Sequence, residues 1–253
     1  LQSTSFASGG PIEIRGHSKL MAGTSKCIQK TAAGSFTGYF YGTAEGDSAT
    51  GVSYFFSSLQ NTNGGTFYVR SAEERPGLLD PTIENFGSIF QQGSSGDLDV
   101  GINRIKGFKK LFDLDNAGYS LNYELRVENL IAWDQRFGAN GFLFMGNHAG
   151  WNWSPDITIK NSIFADGGGY AVYSAWLAVL GTVTLQNVIF YDITVGVSVA
   201  PANSIAFWNA IRWNCPKTGG VWYSELTTEP IFTDAAGVPP DYHSAWGWTG
   251  HSN

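Results

Sequence analysis

Short alternating apolar runs, each closed by an Asn, recur between residues 125 and 214. The first reads Leu125-Arg126-Val127-Glu128-Asn129 and continues Leu130-Ile131-Ala132-Trp133-Asp134; the others occupy residues 157–166, 182–192 and 205–214. Each copy is an alternating run, an Asn, two or three apolar residues, and an Asp or Asn five positions after the first Asn. Apolar and polar positions that alternate mark a strand with one buried face. Asn129, Asn161, Asn187 and Asn209 lie 32, 26 and 22 residues apart, the period range of solenoids. Strands this short cannot stand alone in water, so each needs a coil above and below to pair its backbone and bury its apolar face. The pattern predicts an all-β parallel solenoid.

Weaker copies lie upstream. Ile83-Glu84-Asn85-Phe86 and Ile105-Lys106-Gly107-Phe108 place an Asn or Gly 22 residues apart and 22 before Asn129, as if on the same turn. Ile12-Glu13-Ile14-Arg15-Gly16-His17-Ser18-Lys19-Leu20 has the same rhythm with Gly at the turn. Three short strands per coil are expected, most clearly 141–145, 157–160 and 162–165, with Asn161 at the tight turn. Asn tolerates left-handed dihedrals and bonds a neighbour's backbone, so stacked copies should form a ladder. Asp134, Asp166 and Asp192 read as residues that open the next turn, the alternative being acids of a catalytic set.

One domain over 1–253 is expected: a polar arm at 1–10, irregular first coils at 11–80, regular coils at 81–224 and a cap segment at 225–253. The stretch 36–42 alternates too imperfectly to register, and 72–80, with its charges and a Pro, is the expected excursion. Charged residues are only 14% of the chain while 32 Gly and nine Trp are present, which disfavours long amphipathic helices. A net charge of −6 with no basic run argues against a nucleic-acid surface. No apolar run approaches a membrane span. Cys27 and Cys215 are separated by many coils, which disfavours a bridge within the chain, so they are expected as buried free thiols, the alternative for Cys215 in the Asn214-Cys215-Pro216 turn being an intersubunit contact. The sequence opens on Leu1 rather than Met, for which a cleaved secretory signal is the natural expectation.

The phrases Ile157-Thr158-Ile159-Lys160-Asn161-Ser162-Ile163-Phe164-Ala165-Asp166 and Leu185-Gln186-Asn187-Val188-Ile189-Phe190-Tyr191-Asp192 resemble the right-handed parallel β-helix proteins of the pectate-lyase-like superfamily. Glu229-Pro230-Ile231-Phe232-Thr233-Asp234 with Asp241-Tyr242-His243 is similar to the closing segment of many secreted members. The resemblance implies a single right-handed parallel β-helix with short three-strand coils. It leaves the chemistry open, since such proteins include lyases, hydrolases, epimerases, tailspikes and adhesins. It also implies that the loop at 146–156 overhangs the sheet that forms a substrate groove.

Sugar hydrolysis needs paired carboxylates, and a lyase needs a base and a cation to hold the uronate. Segments 118–121, 141–145, 170–174, 197–200 and 221–224 are the expected first-sheet strands, and none carries a charged residue. Arg126, Asp134, Arg136, His148 and Asp156 are the charged side chains left to gather near a groove, or else solvated face residues. His148, Trp151 and Trp153 suit glycan binding through flat aromatic faces, or packing against a second subunit. Trp246 and Trp248 in the aromatic end segment suit a cap or an assembly contact. Asn152-Trp153-Ser154 fits a glycosylation sequon. No metal-ligand spacing or phosphate loop is present, so neither metal nor cofactor is expected. The leading expectation is a non-catalytic extracellular or virion-surface β-helix that self-associates as a homo-oligomer or binds a polysaccharide. The alternative is an enzyme acting on an acidic glycan.

Overall fold

Strands stacked in parallel build the body of the chain, with no helix among the described residues. The computed structural model describes residues 4–6, 12–19, 26–30, 37–47, 53–59, 65–70, 82–93, 97–101, 103–114, 124–136, 141–145, 155–175, 181–200, 205–227, 230, 232–234 and 241–244. In chain order the first strands are β1 (Thr4–Phe6), β2 (Ile12–Lys19), β3 (Lys26–Lys30), β4 (Gly38–Glu45), β5 (Tyr54–Leu59) and β6 (Thr66–Val69). There follow β7 (Ile83–Gly93), β8 (Asp97–Val100), β9 (Asn103–Asp113), β10 (Glu124–Glu128), β11 (Leu130–Gln135) and β12 (Gly141–Met145). The next are β13 (Asp156–Gly167), β14 (Tyr170–Ser174), β15 (Thr182–Ile193), β16 (Gly196–Val199), β17 (Ile205–Trp208) and β18 (Ala210–Trp213). The two-residue strands β19 (Lys217–Thr218), β20 (Val221–Trp222) and β21 (Glu225–Leu226) form the last coil, and β22 (Phe232–Asp234) with β23 (Asp241–Ser244) is a separate antiparallel hairpin.

Register sorts these strands into three sheets. The first stacks β1, β3, β5, the ends of β7 and β9, β12, β14, β16 and β19. The second stacks the starts of β2 and β4, then β6, β8, β10, the starts of β13 and β15, β17 and β20. The third continues β4 into the starts of β7 and β9, then β11, the ends of β13 and β15, β18 and β21. The expected solenoid is therefore present, and the clearest coil has its strands where the alternation put them. The early coils are more regular than expected: β4 alternates buried and half-buried residues along its whole length and pairs residue by residue with β2. The stretch 72–80 lies outside the described residues.

Alternation inside each strand fills a continuous core. On the second sheet one inward column runs through Ile14, Phe40, Val69, Val100, Val127, Ile159, Leu185, Phe207 and Trp222. All are buried except the two end members, which are half-buried against the same core. Each such burial is worth about 1.5–3 kcal/mol, so stacking coils supplies what a lone strand lacks. An aromatic spine threads the coils from Phe108 through Phe142, Phe164, Phe190 and Phe207 to Trp222, with ring centroids 5.3, 5.3, 5.7, 6.2 and 4.0 Å apart.

The corner residues behave as their chemistry demands. Asn129, Asn161, Asn187 and Asn209 have φ of 58, 50, 52 and 50°. Asn209 Nδ2 donates to Asn187 Oδ1 at 3.2 Å, Asn187 Nδ2 to Asn161 Oδ1 at 2.9 Å, and Asn161 Nδ2 to Glu128 Oε1 at 3.5 Å. A second column of left-handed residues follows at Asp134, Asp166, Asp192 and Asn214, as expected of turn positions. Asn85 and Gly107 belong to this second column, because Phe86 pairs with Phe108 and Phe108 with Gln135. The expectation that they align with Asn129 is thus corrected: equal spacing in sequence matched two different corners of the coil. Replacing Asn161, 8% exposed, by Leu should destabilise the solenoid by about 1–3 kcal/mol in denaturant unfolding, since its neighbours lose a partner and a branched side chain must take φ near 50°.

Both cysteines are free and buried, as expected. Burial raises the Cys27 thiol to about 11 and the Cys215 thiol to about 12, so neither is a thiolate near neutral pH.

Candidate functional site

The outward face of the first sheet is not the uncharged surface that the sequence suggested. Its strand below β12 is the end of β9, with Leu143 opposite Phe112 and Phe144 opposite Asp113; residues 118–121 lie outside the described set. Val221 pairs with Ala206 and so belongs to the second sheet, while Lys217 pairs with Val197 in the first. Because Phe56, Phe90 and Phe112 point into the core, their successors Ser57, Gln91 and Asp113 point outward, yet these are only 0, 4 and 3% exposed. Lys110 Nζ lies 2.9 Å from Asp113 Oδ1, and Ser88 Oγ is 3.4 Å from Asp113 Oδ2. Ser57 Oγ donates to Gln91 Oε1 at 2.7 Å. The Lys110 ammonium also sits 4.3 Å from the Phe144 ring centre, and Phe144 stacks on Tyr173 at 4.9 Å. Asp113 is thus a buried carboxylate paired with Lys110 and bonded by Ser88.

Arg126 and Asp156, read from the sequence as groove candidates or else solvated face residues, lie exposed on the outward face of the second sheet. Arg126 pairs with Glu124 at 2.5 Å, and by register Glu124 sits opposite Asp156. Arg136 follows the third sheet and is held by Asp134 at 2.5 Å and by Asn85 Oδ1 at 3.3 Å. The three do not converge on one sheet. His148, Trp151, Trp153, Trp246 and Trp248 lie outside the described residues. On the second sheet Tyr39, Tyr41 and Tyr68 also face outward, but their rings stack on one another at 6.0 and 4.9 Å, and Arg15 lies over Tyr41. All three rings are half-buried.

At the C-terminal end the core columns change character. Arg212 takes the place of Phe190 one coil earlier, Lys217 that of Val197 and Glu225 that of Ala210. Three charges thus arrive on inward columns and join across the end of the core: Arg212 Nε donates to Glu225 Oε1 at 2.7 Å and Lys217 Nζ pairs with Glu225 Oε2. Lys217 also lies 4.4 Å from the Trp222 ring centre, and Arg212 donates to the Cys215 carbonyl. The triad is a charged lid over the last apolar layer, the polar terminal surface a stacked repeat needs.

Burial alone would raise the Glu225 pKa, but hydrogen bonds and charge from Lys217 and Arg212 outweigh it and hold the carboxyl below its ordinary value. A carboxyl with a depressed folded-state pKa contributes stability above its unfolded value of 4.5, and that contribution is lost as pH falls through the depressed one. Glu225→Gln should therefore flatten the acid limb of the stability curve below about pH 4.5, with a loss of about 1–2 kcal/mol at neutral pH after discounting for partial exposure. Thermal melts across pH check this.

Beside the lid lies an open aromatic surface. Among the described residues the large apolar side chains exposed are Val195, Trp208, Val221, Tyr223 and Leu226, all but the first in the last two coils. Trp208 and Tyr223 stack face to face, centroids 3.7 Å apart and planes within 7°, and are 42 and 57% exposed. Sequence spacing gave no sign of this pair, which forms because β20 lies beneath β17.

Among the described residues no group of His, Cys, Asp and Glu could hold a metal ion, and no helix is long and apolar enough to cross a membrane. Comparison with protein-family profiles, curated proteins and solved structures finds no match for this chain. Its class rests on its own geometry: an all-β parallel solenoid with a charged lid at its C-terminal end.

Proposed function

We propose that this chain is a non-catalytic structural and adhesive β-helix of the pectate-lyase-like kind, working at the exterior of a cell or virion by surface contact with glycan. The observation that carries this reading is the solvent-open Trp208–Tyr223 pair on the flank of a rigid stack. Aromatic faces fixed on a scaffold bury sugar area with little loss of conformational freedom. End-to-end self-association through the core is disfavoured at the lidded end, because burying Arg212, Lys217 and Glu225 against a second apolar layer would cost their remaining hydration. A homo-oligomer formed through other faces is compatible with adhesion, and light scattering on the purified chain reports it directly.

A second reading, an enzyme on an acidic polysaccharide, draws on Lys110 and Asp113 on the outward side of the first sheet. The pair supplies one carboxylate where hydrolysis uses two, and its lysine is already engaged. Incubation with pectate, alginate and glycosaminoglycans separates the readings: new chain ends that disappear in Lys110→Met would establish the enzyme and overturn the adhesive proposal.

A further inference from the structure

We infer that Trp208, Tyr223, Asn209 and Ser224 form a subsite for a neutral pyranose within a glycan chain; this rests on the adhesive reading and gives it a place and a ligand class. Tyr223 has one ring face against Trp208, and its 57% exposure leaves the other open to a ligand. The platform is fixed, because Tyr223 N donates to the Phe207 carbonyl and Ala210 N to the Ser224 carbonyl, each at 2.9 Å. Two polar groups flank it. Asn209 is exposed beside Trp208 and ends the Asn ladder among the described residues: one Nδ2 hydrogen goes to Asn187, and its Oδ1 is the acceptor that no further described Asn of the ladder fills. The exposed Ser224 adds a hydroxyl next to Tyr223. An aromatic face bordered by an amide oxygen and a hydroxyl matches the apolar face and equatorial hydroxyls of a pyranose.

The charge pattern selects the class. A uronate or sulfated sugar calls for a cation at the ring, whereas Lys217 and Arg212 are turned inward and held by Glu225. Along the column that runs through Trp208 to Tyr223 the preceding residue is the uncharged Gln186, with Lys160 a further coil away. A second protein copy fits less well: among the described residues the exposed apolar side chains here are Trp208, Val221, Tyr223 and Leu226, few against the roughly 20–30 residues a side of a standard interface.

The test is a fluorescence and calorimetric titration of the full chain with cellopentaose, mannopentaose and galactopentaose, and with polygalacturonate as the acidic comparison. At least one neutral oligosaccharide should bind, and Tyr223→Ala should weaken it about tenfold or more while Tyr223→Phe, which keeps the ring, retains it. Melting of both variants should stay close to that of the parent, which separates lost binding from lost folding. Binding of the neutral sugars unchanged in Tyr223→Ala, or binding of polygalacturonate alone, would overturn the subsite while leaving the adhesive reading standing. Absence of binding to every probe would sink both.

Discussion

Phe190→Ala should be among the most damaging single changes in this chain, lowering stability by about 3–5 kcal/mol in denaturant unfolding. Phe190 is fully buried and lies between Phe164 and Phe207 in the aromatic spine, at 5.7 and 6.2 Å. Truncation leaves a void bounded by strands whose hydrogen bonds run to coils on both sides, so the walls cannot close on it. Because a solenoid's stability is shared between neighbouring coils, the loss should also uncouple the last coils from the rest and broaden the transition. A change below about 1 kcal/mol would mean that the third-sheet register is wrong.

Gly196→Val should be comparably severe, by a different cause. Gly196 has φ of +79°, a region that branched side chains avoid, and a Cβ built there would collide with the carbonyl oxygen of Pro216. That oxygen accepts from Val197 N at 2.8 Å, so it cannot retreat without breaking the ladder between β16 and the last coil. Strain and lost pairing together should cost about 3–5 kcal/mol. Hydrogen exchange should show the loss first at β19 and Val197, and Gly196→Ala should show a smaller version of it.

Much of the fold was legible because alternation and left-handed Asn corners are local properties that stacking merely repeats. What failed was register at a distance. The spacing of Asn85, Gly107 and Asn129 is uniform, yet the corners differ, since a coil such as the one with Asn129 and Asp134 carries two left-handed corners and the 22-residue step landed on the other one. The same slip hid Lys110 and Asp113, because the strand that pairs with β12 on its N-terminal side is the end of β9, a stretch that the alternation did not assign to the first sheet. The lid was partly written in the sequence: where residues 161–166 and 187–192 place Phe164 and Phe190, residues 209–214 place Arg212. A charge at a core position of the last copy is the mark of a terminal coil. The Trp208–Tyr223 pair had no such mark, because it depends on where a two-residue strand lands.

Adhesion without turnover is tested most directly by passing the chain over immobilised neutral and acidic glycans, then assaying the same glycans for new chain ends. Retention on a neutral glycan, abolished by Tyr223→Ala and accompanied by no new ends, is the expected result. Release of shortened glycan by the parent chain would contradict it.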